Sequence, residues 1–218
     1  MTISVTEENY LKAIFSATYV SESRVGNQLI AEKLSINPAS VTEMLRKLDD
    51  KKLIEYNRSS GAKLTKDGQK AALNVIRKHR LWETFLVEHL NFTWDQVHEV
   101  AEQLEHIQSD KLLDELASFL GNPEFDPHGD PIPDKHGKMP VVKSSNLSNA
   151  AIGKKLKVVK VGDNTASFLK YLDKQGIALG DILTIKEVQD FDRSVLVELK
   201  GKKEVYLSAG AAEKIMVI

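Results

Sequence analysis

All six histidines of the chain lie between residues 73 and 140, and His79, His98 and His106 share a spacing with Glu83, Glu102 and Glu105. The pattern is His79-x3-Glu83, then His98-x3-Glu102-x2-Glu105-His106. A helix advances about 100° per residue, so residues 98, 102, 105 and 106 fall at about 0°, 40°, −20° and 80°, on a single face. His79 and Glu83 are one turn apart on an earlier helix. Imidazoles and carboxylates projecting inward from two helices are how helical bundles build divalent-metal sites. A solvated acidic face with incidental histidines would not need donors at repeated one-turn spacings. His89, His128 and His136 lack such partners in sequence and are read as solvent-facing or core residues without a ligand role.

Helix rise sets the number of ions. His98 and His106 are eight residues apart, roughly 12 Å along a helix, whereas metal–ligand bonds are about 2.0–2.6 Å. One ion cannot take both. Two sites are therefore expected, one from His79, Glu83 and His98, the other from Glu102, Glu105 and His106 with a ligand from elsewhere. The chain has no cysteine, and this nitrogen and oxygen donor set suits Mn2+ or Fe2+. Zn2+, Co2+ or Ni2+ would still bind tightly in vitro, following the Irving–Williams order.

The elements before the histidines define a second function. Ser4-Val5-Thr6-Glu7 reads as a capping box opening a helix that turns Tyr10, Leu11, Ile14 and Phe15 to one face. A short helix is expected over residues 25–34. Asn37 caps a third helix with Pro38 in its first turn, running to about Lys51 and burying Val41, Leu45 and Leu48. Residues 53–56 and 62–64 then form a short β-hairpin around Arg58-Ser59-Ser60-Gly61. This is a helix-turn-helix followed by a wing. Its second helix offers Asn37, Pro38, Ala39, Ser40, Thr42 and Glu43 to base edges in a major groove. Arg46, Lys47, Arg58, Ser59 and Lys63 are expected phosphate contacts. A winged helix can also serve as a protein-interaction module, but the regular spacing of helices and wing favours double-stranded DNA.

Thr65 caps a long helix carrying His79 and Glu83. Thr93-Trp94-Asp95-Gln96 reads as another capping box, opening a helix expected to carry His98 through His106. Ser109 starts one more helix, which Gly121 closes. Residues 121–148 are rich in Asn, Pro, Gly, Ser and His and read as a loop or linker. Short β-rich runs follow at 156–161, 182–188, 195–199, 205–207 and 215–218, with a helical stretch at 166–174. Several strands in about 70 residues suit a small SH3-like barrel. The expected fold is mainly α with a small β part: a winged helix-turn-helix (1–72), a helical metal-binding domain (73–140), to which the family resemblance given below adds dimerisation, and an SH3-like domain (148–218).

Charge is uneven along these segments. Residues 1–72 carry 11 Lys/Arg against 9 Asp/Glu, residues 73–140 carry 6 against 13, and residues 141–218 carry 13 against 9. The acidic middle suits cations, so contact with nucleic acid must come from the ends of the chain. The absence of cysteine excludes disulfides, thiolate zinc sites and a cysteine nucleophile. The first residues lack a signal-peptide pattern and no run reaches membrane-spanning length, so the expectation is a cytoplasmic protein without a membrane partner. Two histidines and a carboxylate can hold a catalytic metal, which makes a metal-dependent hydrolase the reading from another class. No HExxH, nucleophile elbow or glycine-rich phosphate loop accompanies them, and the fused winged helix argues for a regulator rather than an enzyme. A regulator that senses a small organic effector, with metal only structural, is the nearer alternative.

The chain resembles the diphtheria-toxin-repressor/manganese-regulator family of metal-dependent transcriptional repressors. The residues carrying the resemblance are Glu8-Asn9-Tyr10-Leu11, Pro38-Ala39-Ser40-Val41-Thr42, Arg77-Lys78-His79-Arg80-Leu81 with Glu83, Val97-His98-Glu99, Glu105-His106-Ile107 with Ser109-Asp110, and the loop from Pro127 to Pro133. The resemblance implies three domains and a homodimer. It also implies metal-dependent binding to palindromic operators, repression of metal-uptake genes and no small-molecule substrate. It implies an ancillary site at His79, Glu83 and His98, and a primary site at Glu102, Glu105 and His106 with a first-helix ligand at the position of Asn9. Glu102 stands where manganese-sensing members have glutamate and iron-sensing members have cysteine, which points to Mn2+ ahead of Fe2+. Three departures matter. Asn9 replaces a methionine or aspartate, leaving its amide carbonyl or the neighbouring Glu8 as the ligand. Lys12 replaces the glutamate that two-domain manganese regulators use for a closely spaced ion pair. Asn164 stands where a C-terminal carboxylate ligand is expected, and Asp163 beside it could serve as that ligand.

Overall fold

The structure is a computed structural model in which residues 3–19 and 23–218 are described. Its contacts divide the chain into two compact units. The first holds the residues up to 79 together with 103–110 and 133–138. The second holds 80–102, 111–132 and 139–218.

In the first unit, α1 (Val5–Thr18) begins with the capping box. Ser4 Oγ accepts from the Glu7 amide and Glu7 accepts from the Ser4 amide. Its buried face carries Tyr10, Leu11, Ile14 and Phe15. Next comes α2 (Asn27–Leu34), two residues shorter than expected at its start. Val25 exchanges both backbone hydrogen bonds with Ala62, so it joins the wing and Gly26 becomes the helix cap. Asn37 caps α3 (Pro38–Asp50) by accepting from the Ala39 amide, and Val41, Leu45 and Leu48 are fully buried. The wing is the antiparallel pair β1 (Ile54–Asn57) and β2 (Gly61–Leu64), with Tyr56 opposite Ala62. Gly61 is required there: its φ is +90°, and a Cβ would lie 2.3 Å from the Val25 carbonyl oxygen.

Thr65 then caps α4 (Lys66–Leu90), a 25-residue helix whose residues to His79 belong to the first unit and whose remainder belongs to the second. In the second unit, α5 (Val97–Leu104) follows a turn at 94–96. Only half of the expected capping box forms. The Gln96 side chain accepts from the Thr93 amide, but Thr93 Oγ1 donates to Asp95. The helix stops at Leu104, so Glu105 and His106 lie beyond its end rather than on its face. After it, α6 (Asp110–Phe119) ends before Gly121, whose φ of +74° closes the helix. A small core gathers Leu81, Leu113, Leu116, Ala117 and Ile132.

The segment expected as a loop or linker contains an ordered loop. Asp126 Oδ1 accepts from the amides of His128 and Asp130, and Phe125 pairs with Pro131. The loop lies against the C-terminal sheet, where the Val161 amide donates to the His128 carbonyl. That sheet contains β3 (Ser145–Asn146), β4 (Lys155–Val161), β5 (Ile182–Val188), β6 (Val195–Glu198), β7 (Glu204–Leu207) and β8 (Ile215–Val217). Its order is β3-β8-β4-β5-β6-β7, with all pairs antiparallel. The expected barrel is corrected by this order: β3 and β7 are edges, and the sheet is open. Leu169 and Leu172 of α7 (Ala166–Gln175) and Ala211 and Ala212 of α8 (Ala209–Lys214) join the core of this sheet. Among the described residues, no helix is long and apolar enough to cross a membrane.

Candidate metal centres and nucleic-acid face

Two clusters of carboxylates and imidazoles form, one in each unit. In the first unit, α1 supplies Glu8, α4 supplies His79, and the turn after α5 supplies Glu105 and His106. Glu105 is fully buried, with its Oε2 2.6 Å from His79 Nδ1. The Lys12 ammonium donates to both Glu105 oxygens, at 2.8 and 2.7 Å. Burial pushes the Glu105 carboxyl up, but the His79 hydrogen bond and the Lys12 and His79 charges outweigh it and hold the group below its ordinary range. His106 Nδ1 is 2.6 Å from Glu8 Oε2, and its Nε2 is 3.7 Å from Glu105 Oε1. Gln108 donates to Glu8 at 2.9 Å and Lys78 at 3.3 Å.

Glu8 is therefore the α1 side chain beside His106. Asn9 lines a groove with Thr6, Tyr10, Ile36, Ser40 and Glu43, and its Oδ1 is buried without a hydrogen-bond partner. His79 is bonded to Glu105 and stands one turn before Glu83 on α4.

The second unit brings together Glu83 of α4 with His98 and Glu102 of α5. His98 Nδ1 is 3.5 Å from Glu83 Oε1, and its Nε2 is 3.6 Å from Glu102 Oε1. Glu102 lies one turn after His98 on α5. The loop adds two residues that the sequence reading left out. His128 is fully buried, its Nδ1 is 3.7 Å from Glu83 Oε2, and that nitrogen has no hydrogen-bond partner. Its Nε2 meets the Trp94 carbonyl at 2.7 Å. Glu83, Asp126 and His128 each offer a donor atom within 4.8 Å of the others. Burial first, then the charges of Asp130 and Glu83, push the Asp126 carboxyl up to about 7. Asp163 accepts from the Thr165 amide and pairs with Lys214, while Asn164 donates to Asp130 at 3.3 Å. The signal that could have found His128 was its place two residues after Asp126, but spacing within a loop carries no facial periodicity.

Both clusters have the chemistry of a divalent-cation site. Two ligands of one ion are separated by at most about twice a 2.0–2.6 Å bond. The 3.5–3.7 Å spacings of the second cluster are wider than hydrogen bonds and lie within that limit. A buried imidazole nitrogen lacking a partner, beside a buried carboxylate, is the donor such an ion would satisfy.

The face expected to meet nucleic acid is mostly open. Asn37, Pro38, Ala39, Ser40, Glu43, Arg46 and Lys47 on or before α3 are exposed, as are Arg58, Ser59 and Lys63 of the wing. Thr42 differs: it is half-buried, and its hydroxyl accepts from Asn27 at 2.9 Å, so it ties α3 to α2. Lys47 also reaches Glu7, at 3.3 Å.

Comparison with known proteins matches three stretches of the chain. Residues 2–62 match the family described as "Iron dependent repressor, N-terminal DNA binding domain". Residues 65–134 match "Iron dependent repressor, metal binding and dimerisation domain", and residues 145–218 match "FeoA domain". A solved structure of a manganese-dependent transcriptional repressor in complex with manganese is similar at TM-score 0.88 and 34% identity, covering 97% of this chain and 98% of that one. The structure of the manganese regulator SloR is similar at TM-score 0.76 and 34% identity, covering 100% and 99%. The iron-dependent repressor IdeR of Mycobacterium bovis is 31% identical over 128 residues, 59% of this chain. The chain spans about half the length of that relative, 55%.

Proposed function

The chain belongs to the iron-dependent and manganese-dependent repressor family, and from that premise we propose that it is a DNA-binding transcriptional repressor switched on by Mn2+, or by Fe2+. The carrying observation is the convergence of Glu8, His79, Glu105 and His106 from three separate elements, with contacts of 2.6 Å. These residues would hold one divalent ion, and Glu83, His98 and Glu102 with His128 would hold a second. When bound, the first ion supplies two positive charges and a tie among several ligands.

The residues do the rest. Glu8 belongs to α1, which packs on α2 of the helix-turn-helix. Glu105 and His106 belong to the turn after α5. Drawing those groups together fixes α1 against that turn and selects the arrangement of the winged helix that fits DNA. In a homodimer this would set two recognition helices one groove repeat apart, about 34 Å, for a palindromic operator. Asn37 to Ser40 would read bases, with Arg46, Arg58, Ser59 and Lys63 on phosphates. The donor set holds only nitrogen and oxygen, which supports Mn2+ ahead of softer ions.

The test is a gel-shift titration of operator DNA with metal-stripped protein, with chelator and with Mn2+. Mn2+ is expected to tighten binding at least tenfold. Equal affinity in the two conditions would reject the switch.

A further inference from the structure

In the first cluster, two carboxylates already face two ammonium groups: Glu105 with Lys12, and Glu8 with Lys78. The lysines together carry the charge of one divalent ion. The two pairs are not equivalent. Lys12 contacts both oxygens of Glu105 at 2.7–2.8 Å, whereas Lys78 reaches one oxygen of Glu8 at 3.3 Å. The Lys12 side chain keeps 22% of its surface exposed, and that of Lys78 only 5%.

We propose that Lys12 is a built-in counter-ion of Glu105, displaced when a divalent cation binds, and that it thereby sets the metal threshold of the switch. This rests on the functional reading above and adds a residue that controls its sensitivity. An ammonium that engages both oxygens of a carboxylate competes with any cation for their lone pairs and repels it. Adding two charges to a cluster that is otherwise balanced would also leave an uncompensated excess in a buried place, which is costly. Release of Lys12 halves that excess. Its flexible four-carbon stem and partial exposure give it a route to water that Lys78 lacks. Competition of this kind makes uptake weaker than the ligands alone would allow.

The experiment is calorimetric titration of the metal-stripped full chain with Mn2+, in a His98→Ala background that weakens the second cluster. Lys12→Met, which keeps the apolar stem, is compared with Lys12 and with Lys12→Gln, which retains a neutral donor. Melting temperature in chelator is recorded for each. Lys12→Met is expected to lower the Mn2+ Kd roughly tenfold or more, the scale of a hydrogen bond to a charged group. It should also lower the melting temperature in chelator, with Lys12→Gln between. A lower melting temperature with an unchanged or weaker Kd means that Lys12 only props the fold, and overturns the proposal. Should Lys12→Met fail to fold, Lys12→Gln decides on the same Kd criterion. Absence of Mn2+ uptake by all three chains would sink the functional reading as well. Uptake that ignores residue 12 would sink this inference alone.

Discussion

Glu7 and Glu8 are adjacent, both buried, and do different work. Glu7 closes the capping box and takes Lys51 at 2.8 Å and Lys47 at 3.3 Å, tying α1 to the far end of α3. Burial raises its carboxyl, but the Lys51 and Ser4 hydrogen bonds and Lys47 outweigh this and hold it at about 2. A folded-state pKa below the unfolded value means that the stabilisation is fully present above about pH 4.3 and is lost as pH falls through about 2. Glu7→Gln should therefore destabilise the winged helix by about 1–3 kcal/mol at neutral pH. Its urea-unfolding midpoint should also change less between pH 5 and pH 2 than that of the unmodified chain. Equal acid sensitivity in the two proteins would refute this account of Glu7. The sequence made Glu7 legible as a cap, because capping is local. It left Glu8 and Asn9 as alternatives, because choosing between them requires knowing which side chain meets His106, 98 residues away. Thr42 shows the same limit. Its place near the start of α3 suggested base contact, and only the fold reveals Asn27 across from it.

At the scale of elements, the long signals were read well and the short ones were not. Caps located the starts of α1, α3 and α4, and alternation located most strands to within a residue or two. The two-residue β3 and the six-residue α8 are too short for periodicity to register. The end of α5 is the costliest difference. Leu104-Glu105-His106-Ile107 contains neither glycine nor proline, so the helical spacing continues past the point where the helix stops. Tertiary bonds from Glu105 to Lys12 and His79, and from His106 to Glu8, take the place of further turns. Composition marked the loop that contains 124–132 but could not reveal that it is ordered. It is held by Asp126 and by the close approach of Gly129 to β4, where a Cβ would meet the Val159 oxygen at 2.1 Å with φ at +82°. Gly129→Ala must therefore push the loop off the strand, carrying His128 with it. A loss of at least about 2 kcal/mol is expected, combining overpacking and αL strain, and it would appear as a lower melting temperature with weaker Mn2+ uptake. Unchanged melting would show that the loop does not depend on this contact.

Across the whole molecule, the function depends on a chain whose charges are sorted by segment. The winged-helix residues 1–72 are only slightly basic, with 11 Lys/Arg against 9 Asp/Glu, and residues 73–140 are strongly acidic. A general electrostatic attraction to DNA is therefore weak, and specific binding has to rest on few cations placed well. Of the basic groups on the expected face, Lys47 also serves Glu7, and Arg24 holds the wing through Glu55 and the Gly61 carbonyl. Arg46, Arg58 and Lys63 remain as exposed cations, the ones proposed to meet phosphate. Counterion release makes the number of such contacts measurable, since log Kobs falls with log salt at a slope of about −0.9 per phosphate neutralised. Arg58→Ala should weaken Mn2+-dependent operator binding about equally on matched and mismatched sites and make the slope shallower by about one unit per wing. It should leave the Mn2+ Kd unchanged, because Arg58 lies outside both clusters. Fluorescence anisotropy across a salt series reads both quantities. An unaltered slope would remove the wing from the phosphate contacts and shift that role to Arg46 and its neighbours on α3.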